Sequence, residues 1–168
     1  MEKTDTITKN DLEEVIKDNY EISKPTKSKA VLVFFGVYSE KARDIKREFK
    51  ILESANEKGI AVVYMNYNQK LWLEETEQKK LAEQLKNIFN ENDLPETKAY
   101  LGGFSSGGNV AFLISDFLSL QNSELTPKGI FVIDSPIDLV GIFKSSEKNV
   151  ERNFSEPSVR EVPGFLKH

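Results

Sequence analysis

Tyr100-Leu-Gly-Gly-Phe-Ser-Ser-Gly-Gly-Asn109 packs four glycines and two serines between two apolar segments. The short apolar segment Lys98-Ala-Tyr-Leu101 enters it, and the almost wholly apolar Asn109 to Leu120 leaves it. That is the pattern of a strand turning directly into a buried helix. At the turn, Gly103-Phe-Ser-Ser-Gly107 fits G-x-S-x-G, in which the serine sits on a strained strand-to-helix corner with its hydroxyl lifted above the sheet edge. A side chain at 103 or 107 would collide with neighbouring backbone in so tight a turn, which is why glycine stands there. Gly108 lets the helix approach the sheet more closely still.

Working outward, Ala30-Val-Leu-Val-Phe-Phe35 is an unbroken apolar run closed by Gly36, as expected of a strand buried on both faces of a parallel sheet. From Glu40 to Lys58 the residues Ala42, Ile45, Phe49, Leu52 and Ala55 recur at helical intervals, and Gly59 ends that helix. Ile60-Ala-Val-Val-Tyr-Met65 is a second strand. Leu71 to Asn90 is a second amphipathic helix, broken at Leu94-Pro95 before the strand that enters the elbow. Lys128-Gly-Ile-Phe-Val-Ile133 is a further strand, leading into Asp134-Ser-Pro-Ile-Asp138. The order β-α-β-α-β-α-β, with right-handed helical crossovers, predicts a three-layer α/β/α sandwich around a mostly parallel sheet.

Three segments result: a polar N-terminal arm at 1–29, a core at 30–143, and a polar tail or start of a cap at 144–168. Within the arm the sequence suggests a short helix from Asp11 to Asp18 and an extended piece from Tyr20 to Ser23. No strand is expected after 128–133, so the sheet stops early and leaves an open edge that would support a homodimer.

At 168 residues, 39% hydrophobic and 30% charged, the chain can enclose one ordinary apolar core. A net charge of −4 with Lys and Glu interspersed argues against nucleic acid as a partner. Zero cysteines exclude disulfides, thiol nucleophiles and thiolate metal sites. No apolar run approaches the roughly 20 residues of a membrane span, and no signal-peptide segment follows Met1, so the expectation is a cytoplasmic protein acting away from membranes. With one histidine and scattered carboxylates, neither a metal nor a cofactor is expected. The run Glu74-Glu75-Thr-Glu77 followed by Lys79-Lys80 reads as a solvated helix face.

Two chemistries compete for the elbow. A serine nucleophile would use the N–H of Ser106, at the positive end of the following helix, to stabilise an oxyanion. A phosphate-binding turn would use the same helix end, but neither G-x-x-x-x-G-K-[ST] nor G-x-G-x-x-G occurs.

Over residues 30–140 the chain resembles the α/β-hydrolase superfamily, through the strand ending Phe35-Gly36, the elbow Gly103-Phe-Ser-Ser-Gly107 and the strand ending Asp134-Ser-Pro136. It looks closest to esterase- and acylhydrolase-like members. The resemblance implies that Ser105 attacks the carbonyl of a small ester or other acyl substrate. It also implies a second oxyanion donor in the loop Gly36-Val37-Tyr38, with Val37 and Gly36 the candidate N–H groups. Asp134 stands where some members keep the catalytic acid, and Asp138 is the nearby alternative.

The departures are specific. Members usually carry His-Gly at the oxyanion loop, where this chain has Phe35-Gly36-Val37. They also continue past the strand at 128–133 with a cap and two strands that bring the acid and the histidine. His168 is the one histidine here, so a triad would have to use it. Pro157-Ser-Val-Arg-Glu-Val162 resembles the start of a cap helix and favours a fragment of a longer hydrolase over a shortened relative. A catalytically silent binding module and a flavodoxin-like domain remain the rivals. Trp72 reads as packing, and Tyr64, Tyr67, Asn68 and Tyr38 as an aromatic rim beside the elbow.

Overall fold

A computed structural model describes residues 12–37, 39–67, 73–121, 123–136, 138 and 144. The chain divides into two compact units, Met1–Ser135 and Pro136–His168. Every strand and helix discussed below belongs to the first.

Six strands form one sheet: β1 (Leu12–Ile16), β2 (Tyr20–Pro25), β3 (Ala30–Phe35), β4 (Ile60–Met65), β5 (Ala99–Phe104) and β6 (Gly129–Ile133). Their spatial order is β1-β2-β4-β3-β5-β6. The four strands from β4 to β6 run parallel, with Val33 opposite both Val63 and Leu101, while β1 and β2 pair antiparallel at the β4 edge. Four helices complete the unit: α1 (Ala42–Glu48), α2 (Ile51–Glu57), α3 (Glu75–Glu91) and α4 (Ser106–Leu120). The mostly parallel α/β sandwich expected from the sequence is therefore the fold observed.

The apolar run of β3 explains the layering, because alternate residues of a strand face opposite sides of a sheet. Phe35, Val31 and Val33 point into a large cluster with Leu85, Ile88 and Phe89 of α3 and Val110, Ile114 and Leu118 of α4. Phe34 points the other way, into a cluster with Ala42 and Ile45 of α1 and Leu52 and Ala55 of α2. With both faces covered, β3 reads as continuous hydrophobicity instead of alternation.

Three elements differ from the sequence reading. The helix expected over Asp11 to Asp18 is a strand from Leu12 to Ile16, paired with β2 in register Val15 to Ile22. A backbone bond from Lys17 N–H to Tyr20 O at 2.9 Å closes that hairpin. Residues 20–25, read as part of a polar arm, lie within the sheet, and Tyr20 and Ile22 are buried in its core. Tertiary pairing outweighs the weak local preference of so short a polar segment.

The single helix expected from Glu40 to Lys58 breaks at Phe49 and Lys50. Phe49 takes φ −104° and ψ 69° there. The break turns its ring against Phe34, at 5.0 Å between centroids, and Phe104, at 5.6 Å. The third difference is the start of α3, at Glu75 and not Leu71, where Glu74 N–H donates to the Glu77 carboxylate at 3.1 Å.

Candidate active site

The elbow is built at the C-terminal end of β5. Ser105 adopts φ 49° and ψ −122° between the last residue of β5 and the first of α4, a conformation that costs an L-residue about 1–3 kcal/mol. Neighbouring backbone holds it there. Ser105 N–H donates to Ile133 O of β6 at 2.9 Å, and Gly108 N–H donates to Ser105 O at 3.1 Å. The Ser105 side chain makes no capping bond to its own helix. It is partly exposed, whereas Ser106, Gly107 and Gly108 beneath it are buried.

Glycine is required at two positions by contact. A Cβ on Gly107 would overlap Phe35 O and stand 2.6 Å from Gly36 O. A Cβ on Gly103 would overlap Phe35 O and stand 2.6 Å from the Gly107 carbonyl carbon. The helix end, the elbow strand and the tip of β3 thus meet through bare backbone. That close approach brings the loop after β3 beside the first turn of α4, whose N–H groups carry the positive end of the helix dipole.

Gly36 and Val37 form that loop. Tyr67, whose hydroxyl donates to Gly36 O at 3.1 Å, supports it from the exit of β4. Burial, and secondarily the charge of Glu40, holds the Tyr67 phenol well above its ordinary range, so it remains a donor. The Val37 N–H donates to Glu40 Oε2 at 2.9 Å, and Glu40 N–H returns to Val37 O at 3.1 Å. This reciprocal turn carries Ser39 at φ 70°. Burial raises the Glu40 carboxyl above the usual carboxylate range, and Glu48 and Asp44 add to the rise while the Val37 bond opposes it.

On the opposite flank stands the tip of β6. Asp134 follows directly on Ile133, the residue that accepts the Ser105 N–H, and is exposed at φ 48°. Ser135 comes next, its side chain so close to α4 that a Cβ on Gly108 would overlap Ser135 Oγ.

The structure therefore brings Ser105, Ser106, Gly36, Val37 and Asp134 to one end of the sheet. Tyr38, Asn68, Trp72, Pro157 to Val162 and His168 lie outside the described residues. Asp138 is exposed and belongs to the second unit. The aromatic rim is not formed by Tyr64 and Tyr67: Tyr64 is core beneath α1 and α2, and Tyr67 is buried against the loop after β3. Sequence reasoning missed Glu40 in this site. Its signal was the spacing Val37 to Glu40, since a carboxylate three residues on can reach back to an N–H, as in a capping box. No group of three or more His, Cys, Asp or Glu suited to a metal occurs among the described residues.

No protein-family model and no curated protein matches the chain. Solved structures do. The chain is similar to an α/β-hydrolase superfamily protein from Enterococcus faecalis, at 19% identity and TM-score 0.57 over 74% of this chain and 46% of that one. It is similar to fungal esterases from Rhizomucor miehei, at 17% identity and TM-score 0.55 over 74% of this chain and 44% of that one. It is also similar to Candida antarctica lipase A in its closed state, at 14% identity and TM-score 0.55, with 74% and 35% covered. The chain thus spans less than half the length of these structures. With the sheet order β1-β2-β4-β3-β5-β6 and Ser105 at positive φ between β5 and α4, the chain has the α/β-hydrolase fold.

Proposed function

We propose that the chain is a serine acyl hydrolase acting on small esters or related acyl compounds, with Ser105 as nucleophile. The observation that carries this is the backbone of Ser105, φ 49° and ψ −122°, held at a strand-to-helix junction over glycines that admit no side chain. Strain of this kind clusters at functional sites, and at a strand-to-helix corner it presents a hydroxyl to a substrate. The esterases and lipase sharing the fold support the same reading.

In the proposed reaction Ser105 Oγ attacks the acyl carbonyl carbon and gives its proton to a base. The carbonyl oxygen becomes an oxyanion held by the N–H groups of Ser106 and Val37, with Gly36 the neighbouring candidate. Collapse expels the alcohol, which takes the proton, and leaves an acyl ester on Ser105. Water then attacks that ester through the same base and frees the acid. His168 is the candidate base in this sequence, and Asp134, next to the acceptor of the Ser105 N–H, the candidate acid.

The test is turnover of a short-chain aryl ester by the purified chain. Ser105→Ala is expected to abolish it, a loss on the order of 10³-fold or more, and His168→Ala to slow it strongly. Equal turnover in Ser105→Ala would reject the assignment. Turnover absent from folded wild-type protein would mean that this chain lacks a working base, as a fragment of a longer hydrolase or as the second reading, a non-catalytic binding module.

A further inference from the structure

Glu40 stands where the proposed reaction needs a donor. Its carboxylate takes the Val37 N–H at 2.9 Å, and its own N–H returns to the Val37 carbonyl at 3.1 Å, so the turn is closed on itself from both sides. Its carboxylate Oε2 also lies within 3.0 Å of where a Cβ on Gly36 would be. An N–H engaged by a carboxylate gives less to a developing oxyanion, and a negative charge beside that N–H repels the oxyanion as it forms. A carboxylate here therefore works against the chemistry that the elbow is shaped for.

We infer that Glu40 is a latch on the loop after β3, whose ionised carboxylate withholds the Val37 N–H from the acyl oxygen until it swings away or takes a proton. The inference rests on the reading of Ser105 as nucleophile and Val37 as donor. Glu40 acts through Val37 and is a positioning residue.

Two features let the latch open without dismantling the loop. Gly36 O is held independently by the Tyr67 hydroxyl at 3.1 Å, and the tip of β3 is pinned against Gly107. Releasing Glu40 breaks its bonds to Val37 and its side-chain bond to Glu48 on α1, and leaves both of those supports in place. The groups around the carboxylate bias it toward taking a proton. Burial raises its pKa first, the Val37 bond opposes the rise, and Glu48 and Asp44 on α1 add to it; Arg47 on α1 and the neutral Tyr67 phenol after β4 also act on this group or feel its charge. A charge-assisted bond becomes an ordinary one when the acceptor is neutralised.

The experiment compares wild type, Glu40→Gln and Glu40→Ala in two readouts on the full chain. One is the rate of Ser105 labelling by a neutral fluorophosphonate across pH. The other is the amide resonance of Val37 in ¹⁵N–¹H spectra. Glu40→Gln keeps an acceptor oxygen and the side-chain volume, and the same spectra verify its fold. The expected result is labelling about tenfold faster in both variants at neutral pH, within the range that one oxyanion donor controls. That ratio should fall toward one as acid protonates the wild-type carboxyl. The Val37 amide should titrate in wild type and lose the titration in Glu40→Gln.

Equal or slower labelling in the variants at every pH overturns the latch alone. So does a wild-type Val37 amide that does not titrate. Labelling absent from Ser105 in all three folded chains overturns the hydrolase reading, and the latch with it.

Discussion

Ser105 is held in its conformation by backbone on both sides. Its N–H is fixed to Ile133 O, its carbonyl to Gly108 N–H, and the glycines on either side leave no space for adjustment. Substituting Gly107→Ala should therefore cost about 3 kcal/mol, at the upper end of overpacking, because the added methyl meets the Phe35 and Gly36 carbonyls and not a movable side chain. Urea denaturation measures it, and a loss under 1 kcal/mol would show that helix and strand tip can separate. At this scale the sequence was legible where sterics alone dictate the residue. Gly103 and Gly107 announce a turn that only small residues permit. Glu40 was not legible, because its importance depends on a turn at Val37 to Glu40 bringing the carboxylate back onto one particular N–H. A glutamate at the head of a helix ordinarily looks like a solvated residue.

Elements show where periodicity serves and where it stops. The five apolar positions from Ala42 to Ala55 were correctly read as one face, and Ala42, Ile45, Leu52 and Ala55 are buried while Phe49 packs against them. Periodicity carried no sign of the break at Phe49, since Leu52 and Ala55 beyond it face the same cluster as Ala42 and Ile45 before it. What fixes α2 is polar and was also invisible in the sequence. Asn56 donates to Ser23 O at 2.8 Å and Ile60 O at 3.0 Å, and accepts from Ser23 Oγ at 2.9 Å. It ties α2 to β2 and β4 from a buried position. Asn56→Ala should cost about 2–4 kcal/mol, since it strands the Ser23 hydroxyl and two carbonyls in the core. Thermal or urea unfolding checks this, and a change within 0.5 kcal/mol would mean that water replaces the amide.

For the molecule as a whole, the apolar run of β3 was enough to mark it as a buried strand of a parallel sheet, whereas its place between β4 and β5 is a matter of strand order that the sequence does not spell out. The N-terminal hairpin escaped that logic. Its strands are short and polar, and only their pairing with β4 makes them part of the sheet, with Ile22 fully buried opposite Val63. If the hairpin is integral, Ile22→Ala lowers the stability of the whole first unit by about 2–4 kcal/mol, with helix and aromatic signals lost together. Separate transitions for the two signals would show the hairpin to be an appendage. The elbow depends on the same assembly: β3 supplies the carbonyls under Gly107, β6 the acceptor for Ser105, and both hold their places through the sheet.

We propose that this assembly makes Ser105 a nucleophile. Its most direct test is treatment of the folded 168-residue chain with a fluorophosphonate, followed by mass spectrometry of its peptides. One adduct is expected, on Ser105, absent from Ser105→Ala and retained in a Ser135→Ala control. An adduct on another serine, or none on protein shown to be folded, would contradict it.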